Sequence, residues 1–306
     1  MSLTRRIFVS LPSDESLADH PSENDLKWGI VDEIVKLGYV PEIFRDSREE
    51  SSGAIAHQGW SLSYFDEIIR RCVGCVIIGL PRWRLSDGTT QIRLASEFSH
   101  YEGAIAFSKR LPLLVIRQEG MQRRVFFDSS YAGTVATMPE SADRSWLTTP
   151  GFRGPFGHWK KQLEARKDVF FGYCGSSAET ARRLKQCLEE EVLLSVLDWN
   201  RDFTPGRMIL SEIQEAADHC SAGIFLFTRD DKIGGRASGA VSAPRDNVVF
   251  EAGYFSSAKG KERVLIVREK GAKMPADLGG DIYAPLADAS DIGPVRAMVE
   301  RFIAAL

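Results

Sequence analysis

Glu251 has the surroundings of a reactive acid. It stands in residues 248–255, Val-Val-Phe-Glu-Ala-Gly-Tyr-Phe, which have the composition of an apolar helix that would partly shield a carboxylate from water. Asn247 supplies an amide about one helical turn earlier. A shielded carboxylate can stabilise positive charge that develops on a reacting group. The alternative is a solvated helix glutamate, and the apolar neighbours favour the functional interpretation.

A loop in the same half of the chain has residues that suit a ligand site. Residues 173–177, Tyr-Cys-Gly-Ser-Ser, follow an apolar strand, and Gly172 and Gly175 would permit close backbone approach. Ser176 could donate to a phosphate or a ribose hydroxyl, or the serines could only cap the following helix. Tyr173 would lie where the strand ends.

The loop after the next strand carries two further candidates. Trp199 could stack on an aromatic ligand, or it could pack under the loop. Arg201 could contact a pyrophosphate, or it could pair with Asp202. Ligands of open α/β sheets bind outside the carboxyl ends of the strands, so both loops are expected at one site.

The chain repeats one plan of strands and helices. In each half a helix is followed by a cysteine and then by an apolar strand, and a later helix carries a glutamate. Cys72 precedes Glu102 by 30 residues, and Cys220 precedes Glu251 by 31. Ser10 ends the first strand of the first half. Ser10 and Glu102 therefore mark a second pocket, either functional or vestigial.

The repeat predicts the fold class and the domains. Strands that alternate with helices indicate an α/β protein of two tandem, doubly wound, flavodoxin-like domains with parallel sheets. The first domain is expected over residues 1–145 and the second over residues 167–306. Turn-forming residues such as Thr-Thr-Pro-Gly and Gly-Pro-Phe-Gly predict a linker over residues 146–166, in which residues 158–166 could form a short helix.

Composition argues against several classes of protein. The 39 Lys+Arg and 42 Asp+Glu residues give a net charge of -3, so no nucleic-acid partner is expected. No apolar stretch approaches the roughly 20 residues that span a bilayer. The apolar run near the start of the sequence is too short to be the apolar core of a signal peptide. We therefore expect no membrane partner and a cytoplasmic location.

A metal site is not expected from the spacing of the ligand-type residues. The histidines are scattered, and Cys72 and Cys75 form one CxxC pair without a second pair at ligand spacing. The pair leads into an apolar strand, which favours two small buried residues over a metal or redox site.

The second half resembles a TIR domain. Residues 168–173 resemble the strand that opens such a domain, and residues 201–206, Arg-Asp-Phe-Thr-Pro-Gly, resemble the RDxxPG segment. Residues 244–255 are similar to a segment of bacterial TIR-like effectors that act in nucleotide-signalled antiphage defence. The resemblance implies an NAD glycohydrolase whose catalytic carboxylate is Glu251. It also implies self-association, in which the RDxxPG loop of one copy completes the site of its neighbour.

The implied reaction breaks the nicotinamide–ribose bond of NAD through an oxocarbenium-like ribosyl cation, which a carboxylate can stabilise. Nicotinamide leaves as a neutral ring, so no general acid is needed and one carboxylate suffices. The products would be nicotinamide and ADP-ribose, linear or cyclic. NAD is the substrate and no cofactor is expected. The candidate substrate-binding residues are Tyr173, Gly175, Ser176, Trp199, Arg201 and Asn247.

The first half resembles the same fold, or a nucleoside deoxyribosyltransferase, only loosely. It has no RDxxPG segment, and its residues 45–59 form a longer, Ser- and Glu-rich loop. This half is expected to sense a ligand, with a cyclic nucleotide as the candidate activator, or to support assembly. Three rival functions remain for the whole chain. They are a non-enzymatic TIR self-association module, a deoxyribosyltransferase-like enzyme that leaves NAD untouched, and a cyclic-nucleotide-binding protein whose main role is sensing.

Overall fold

The computed structural model describes residues 3–44, 53–132, 135–204, 206–233, 241–278, 283–288 and 291–306. The chain forms two compact units, which we call the N-terminal unit (Arg5–Ala165) and the C-terminal unit (Arg166–Leu306, with residues from the chain start). Residues 45–52 of the long loop in the first half and Pro205 of the RDxxPG segment lie outside the described residues.

The N-terminal unit alternates strands and helices as the sequence predicts. Its elements are β1 (Arg6–Ser10), α1 (Pro21–Lys36), β2 (Val40–Phe44), β3 (Ile55–His57), α2 (Leu62–Arg70), β4 (Cys72–Gly79), β5 (Trp83–Ser86), β6 (Gln91–Leu94), α3 (Glu97–Ser108), β7 (Leu113–Gln118), α4 (Ser129–Ala132), β8 (Val135–Met138) and α5 (Pro150–Glu164). The main sheet has the order β3-β2-β1-β4-β7-β8, and its neighbouring strands are parallel.

Side chains that alternate along the strands fill two separate cores. In β1, Ile7 and Val9 face a core built with α1 and α5, whereas Phe8 faces a core built with α2 and α3. β4 is buried along its whole length, and Cys72 and Cys75 lie in the second of these cores. The interpretation of the cysteine pair as two small buried residues is confirmed.

The predicted linker is instead part of the N-terminal unit. Residues 144–148 form a 3₁₀ turn, and α5 begins at Pro150, where proline is favoured because the first helical N–H has no intrahelical partner. Phe152, Phe156, Trp159 and Leu163 recur at helical spacing and are buried in the core beside β1 and β7. The Pro and Gly residues of this segment indicated a linker, whereas its apolar residues form the buried face of a helix.

The C-terminal unit has a similar order of elements. They are β9 (Lys167–Gly172), α6 (Ala178–Gln186), a π-helical turn (Cys187–Glu191), β10 (Val196–Asp198), α7 (Trp199–Asp202), α8 (Ile209–His219), β11 (Cys220–Phe227), β12 (Asp231–Ile233), β13 (Val241–Ala243), α9 (Asp246–Lys259), β14 (Val264–Glu269), β15 (Tyr283–Leu286) and α10 (Gly293–Ala304). The main sheet has the parallel order β10-β9-β11-β14-β15.

This strand order confirms the predicted fold class and locates a switch point. The chain adds β10 on one side of β9 and then β11 on the other, so the strand order reverses around β9. The connections after β9 and after β11 therefore leave in opposite directions and open a crevice at the carboxyl ends of these strands. One helix layer contains α6 and α10, and the other contains α8 and α9.

Each unit also contains an antiparallel hairpin. β5 pairs with β6 in the N-terminal unit, and β12 pairs with β13 in the C-terminal unit. Each hairpin stands between a buried central strand and the helix that carries the glutamate. No helix of the described residues is both long enough and apolar enough to cross a membrane.

We expect Trp159→Ala to destabilise the N-terminal unit by about 3–5 kcal/mol, because it removes a buried aromatic side chain. Trp159 is 1% exposed, and its indole N–H donates to the carbonyl of Pro112 at 3.1 Å. The free energy of unfolding can be measured by chemical denaturation. The control is Lys161→Ala, which changes an exposed residue of the same helix. Equal, small effects of the two substitutions would mean that α5 is a linker after all.

Candidate functional site

Helix α9 holds Glu251 on the face that packs against the sheet. Val248, Glu251, Ala252 and Phe255 recur at helical spacing, and all four are buried. The three apolar members belong to the core beneath β9 and β11. Glu251 is therefore carried into the interior by the packing of its neighbours, and it is only 7% exposed.

The carboxylate of Glu251 lies directly over the end of β9. A Cβ atom built on Gly172 would stand 2.8 Å from Oε2 of Glu251 and 2.6 Å from the ring of Phe225. Only glycine leaves room for the acid at this point. The close approach predicted for Gly172 is therefore present, although the partner is a side chain of the protein itself.

The environment of this acid favours its neutral form. Oε2 is buried, and it has no hydrogen-bond partner among the described residues. Burial raises the pKa of Glu251 to about 7. A buried polar atom without a hydrogen-bond partner lowers the stability of the fold. The protein nevertheless has an acid at this position, and none of the described neighbours neutralises its negative charge. A ligand that carries or develops positive charge would compensate for this cost.

Glu251 borders a cavity of about 560 Å³ at the carboxyl end of the sheet. The structure brings all the predicted site residues of this half except Arg201 to this cavity. They are Glu251, Tyr173, Gly175, Ser176, Trp199 and Asn247. The loop after β9, the loop after β10 and the start of α9 thus meet as the strand order requires.

Tyr173 and Trp199 form an aromatic wall of the cavity. The indole N–H of Trp199 donates to the carbonyl of Tyr173 at 3.0 Å, and the ring centroids are 5.5 Å apart. The hydroxyl of Tyr173 donates to Asp198, whose other carboxylate oxygen binds Lys185. Burial, and secondarily Asp198, raise the pKa of Tyr173 to about 12. Trp199 both packs under its loop and lines the cavity, so the two interpretations are compatible.

The serines of the first loop are held by an acid that the sequence did not single out. Ser176 and Ser177 donate to Asp230 at 2.7 and 3.0 Å, and Thr228 donates to its other oxygen at 2.8 Å. Burial favours the neutral form of Asp230, but these hydrogen bonds outweigh it and lower its pKa. Ser177 makes no side-chain capping bond to α6. Asp230 lies three residues after the end of the apolar strand β11, and that position was the available signal.

Arg201 was predicted to bind the substrate, but it does not lie at the cavity. Its guanidinium makes two hydrogen bonds to Asp202, at 2.7 and 2.9 Å, and a third to the carbonyl of Val196. Arg201 does not line the cavity, and the pair with Asp202 accounts for its position. The alternative interpretation, a local ion pair, is the one that the structure bears out.

Arg207 and Arg245 supply positive charge at the cavity instead. Arg207 contacts Glu212 at 2.8 Å and Glu215 at 2.7 Å, whereas Arg245 is 3.5 Å from Asp231. Arg207 directly follows the RDxxPG segment. Its carboxylate partners come from α8 and could not be inferred from local sequence. Among the described residues, no group of three or more His, Cys, Asp or Glu side chains is arranged to hold a metal ion.

The corresponding residues of the N-terminal unit also come together. Glu102 of α3 is 5% exposed and accepts a hydrogen bond from the indole of Trp60 at 3.1 Å. Ser10 is buried, donates to Ser99 at 3.3 Å and lies close enough to Glu102 to lower the pKa of this acid. Burial raises the pKa of Glu102 to about 7, against the lowering effect of Ser10 and Trp60. Both units therefore hold a buried glutamate at the same place in the fold.

Comparison with known proteins identifies the domain in the C-terminal unit. Residues 168–288 match the family model described as "CAP12/Pycsar effector protein, TIR domain". Over 129 residues the chain is 30% identical to the Pycsar effector protein BcPycTIR of Burkholderia cepacia, a match that covers 40% of this chain and 42% of that protein. It is 31% identical over 113 residues to CD-NTase-associated protein 12 of Lachnospiraceae bacterium (strain RUG226), covering 37% and 35% of the two chains.

One solved structure, a TIR domain, is weakly similar to part of this chain. The TIR domain of the Toll-related receptor TRR-2 from Hydra magnipapillata shares 17% identity and a TM-score of 0.35, covering 45% of this chain and 98% of that one. The chain spans about two fifths of the length of the curated relatives cited above. The family match confirms the predicted TIR resemblance of the C-terminal unit.

We expect Gly172→Ala to disturb the position of Glu251 and to lower the free energy of unfolding by about 1–3 kcal/mol, because the new methyl group overlaps the carboxylate and Phe225. Gly175→Ala is the matched control, since no atom lies within 4 Å of a Cβ atom built there. Urea denaturation of both variants measures the effect. If Gly172→Ala were as stable as Gly175→Ala, the acid would not be fixed over β9 as described.

Proposed function

We propose that the C-terminal unit, which carries a TIR domain at residues 168–288, cleaves the nicotinamide–ribose bond of NAD in a cytoplasmic effector of antiphage defence. The observation that carries the proposal is the state of Glu251. This acid borders the cavity at the switch point of the sheet, is buried, and has an oxygen without a partner among the described residues. A fold retains such an acid at a cost to stability, which is typical of a functional group.

The reaction requires negative charge at one place. As the bond between the ribose carbon and the pyridinium nitrogen breaks, its electron pair passes to the nitrogen, and nicotinamide leaves as a neutral ring. The ribose keeps an oxocarbenium-like positive charge, which the carboxylate of Glu251 would stabilise. Water then adds to the sugar and loses a proton, which gives ADP-ribose. Capture by another atom of the same molecule would give a cyclic product.

The cavity supplies the other parts of an NAD site. Its volume of about 560 Å³ lies within the range of ligand cavities, roughly 300–1,000 Å³. The wall formed by Tyr173 and Trp199 offers an aromatic face to a ring of the substrate. Arg245, which is 3.5 Å from Asp231, supplies a positive charge at this border of the cavity that suits a pyrophosphate. Asn247 is exposed at the cavity and can bond a hydroxyl of the ribose.

Self-association is the second part of the proposal. Met208, Ile209 and Leu210 follow the RDxxPG segment with 71%, 61% and 41% of their surface exposed, and Phe250 on α9 is 52% exposed. Large apolar side chains exposed close together indicate a contact surface. Ile209 also lines the cavity, so a second copy that covers these residues would lie beside the site. This arrangement supports an activity that increases with protein concentration.

A nucleotide signal is the proposed trigger of that assembly. The relatives cited above are named as Pycsar effector and CD-NTase-associated proteins, and their TIR domains are similar to the one in this chain. We therefore expect cyclic di- and oligonucleotides, or cyclic mononucleotides, to raise the activity of the full chain.

We expect Glu251→Gln to reduce nicotinamide release from NAD by at least about a hundredfold, because the amide keeps the shape of the acid but removes the charge. The assay uses concentrated full-length protein, with and without cyclic nucleotides. Asp246→Asn is the matched control, since it makes the same change at an exposed position in the first turn of the same helix. It should retain activity.

The same experiment separates the rival functions. A non-enzymatic self-association module would release no nicotinamide under any of these conditions, although its assembly would respond to concentration. An enzyme of the deoxyribosyltransferase type would release free base from nucleosides and leave NAD intact. Full activity of Glu251→Gln would contradict the assigned role of this residue.

We expect the rate of nicotinamide release to rise with pH and to level off above about pH 7, because the ionised form of Glu251 is the active one and burial raises its pKa to about 7. Below that pH the rate should fall by about tenfold per pH unit as the acid becomes protonated. The measurement is kcat/KM, taken from initial rates at NAD concentrations well below KM over a pH series, with unfolding monitored in parallel. A rate that declines as the pH rises through 7 would indicate that Glu251 acts as a proton donor instead.

A further inference from the structure

The N-terminal unit has a cavity of its own at the carboxyl end of its sheet. Its volume is about 380 Å³, and it is bordered by aromatic rings, by an arginine and by a buried glutamate. The residues on which the argument rests are Trp60, Arg82, Phe98 and Glu102. None of them belongs to the NAD site proposed above.

Glu102, the acid in this cavity, accepts a hydrogen bond from a neighbouring side chain. Trp60 donates to Oε1 of Glu102 at 3.1 Å. Glu251, in contrast, has an oxygen without a partner among the described residues. An acid fixed by a donor is positioned to bond the polar edge of a ligand. It is less suited to neutralise a charge that develops during a reaction, because its own charge is already shared with a donor.

Arg82 is available to an anion. Its guanidinium donates to the hydroxyl of Ser96 at 3.3 Å and lies 6.0 Å from the ring of Phe98, but it forms no ion pair with the residues that the structure describes. Lys27, the other cation at this cavity, is bonded to Asp14 at 2.6 Å. A planar guanidinium without a carboxylate partner is suited to bind a phosphate through two hydrogen bonds.

Aromatic faces stand beside this arginine. Trp60 and Phe98 meet edge to face with their centroids 4.9 Å apart, and Phe98 is 41% exposed. Exposed aromatic rings of this kind bind flat, electron-rich rings such as nucleobases by stacking. A stacking face, a phosphate-binding cation and an acid that can bond a polar ring edge are the three requirements of a nucleotide site.

We infer that the N-terminal unit binds a mononucleotide, with its base on Phe98 and Trp60, the edge of the base at Glu102 and the phosphate at Arg82. The cavity is smaller than the one in the C-terminal unit, about 380 against 560 Å³, so it suits one nucleotide better than a dinucleotide such as NAD. The phosphate can belong to a linear or to a cyclic mononucleotide, since both offer the same chemistry to the arginine.

Isothermal titration of the full chain tests this inference. The probes are the common nucleoside 5′-monophosphates, the 3′,5′-cyclic monophosphates, the matching nucleosides and inorganic phosphate. We expect at least one mononucleotide to bind more tightly than both its nucleoside and phosphate alone. Arg82→Gln should lower the affinity for that nucleotide by about tenfold or more and leave the affinity for the nucleoside unchanged. Phe98→Leu should weaken the nucleotide and the nucleoside to a similar extent.

Arg84→Gln is the matched control, because Arg84 pairs with Glu23 at 2.8 Å and does not line the cavity. It should bind the nucleotide as the unaltered protein does, and circular dichroism should show that all the variants are folded. The inference is overturned if no probe binds, if the nucleoside or phosphate alone binds as tightly as the nucleotide, or if Arg82→Gln and Arg84→Gln have the same affinity.

Discussion

The burial of one carboxyl group over the end of β9 is the constraint on which the C-terminal site depends. Glu251 stands above Gly172 because Val248, Ala252 and Phe255 fix the rotation of its helix against the sheet. With a folded pKa of about 7 against a usual value near 4.5, the ionised acid lowers stability by an amount on the order of 3 kcal/mol. This penalty is present above the folded pKa and is relieved as the pH falls through it. Selection for stability alone would favour an uncharged residue at this position. The presence of the acid therefore supports the functional role proposed for it.

The strand order determines what surrounds that acid. Because β10 and β11 lie on opposite sides of β9, the loop after β9 passes between the loop after β10 and the start of α9. Tyr173 and Trp199 then become neighbours although they are far apart in sequence, and Asp230 after β11 fixes Ser176. Tyr173, Trp199 and Ser176 are each held by a hydrogen bond to another residue. The cavity is thus rigid on the aromatic side and unsatisfied at Glu251.

Much of the fold could be predicted from the sequence, and less of the site. The repeated order of strands and helices could be predicted in both halves, because apolar strands and amphipathic helices leave periodic signals in the sequence. The same reasoning missed the role of α5, whose Pro and Gly residues resemble a linker although its aromatic face is buried. Glu251 could be found because its neighbours along the helix are apolar. Arg201 was misplaced and Asp230 was missed, because ion pairs and hydrogen bonds between separate loops leave no local pattern in the sequence.

The two units have a similar order of elements but differ in the surroundings of their buried glutamates. Both place a glutamate with a pKa near 7 on the helix that follows the central strand and its hairpin. The difference lies in the partners: Trp60 donates to Glu102, whereas burial alone shifts the pKa of Glu251. A carboxylate that already accepts hydrogen bonds gains less from a nearby cation, since part of its charge is compensated. If both proposals hold, a donor such as Trp60 distinguishes an acid that orients a ligand from one that stabilises a developing charge, without any change in the backbone plan.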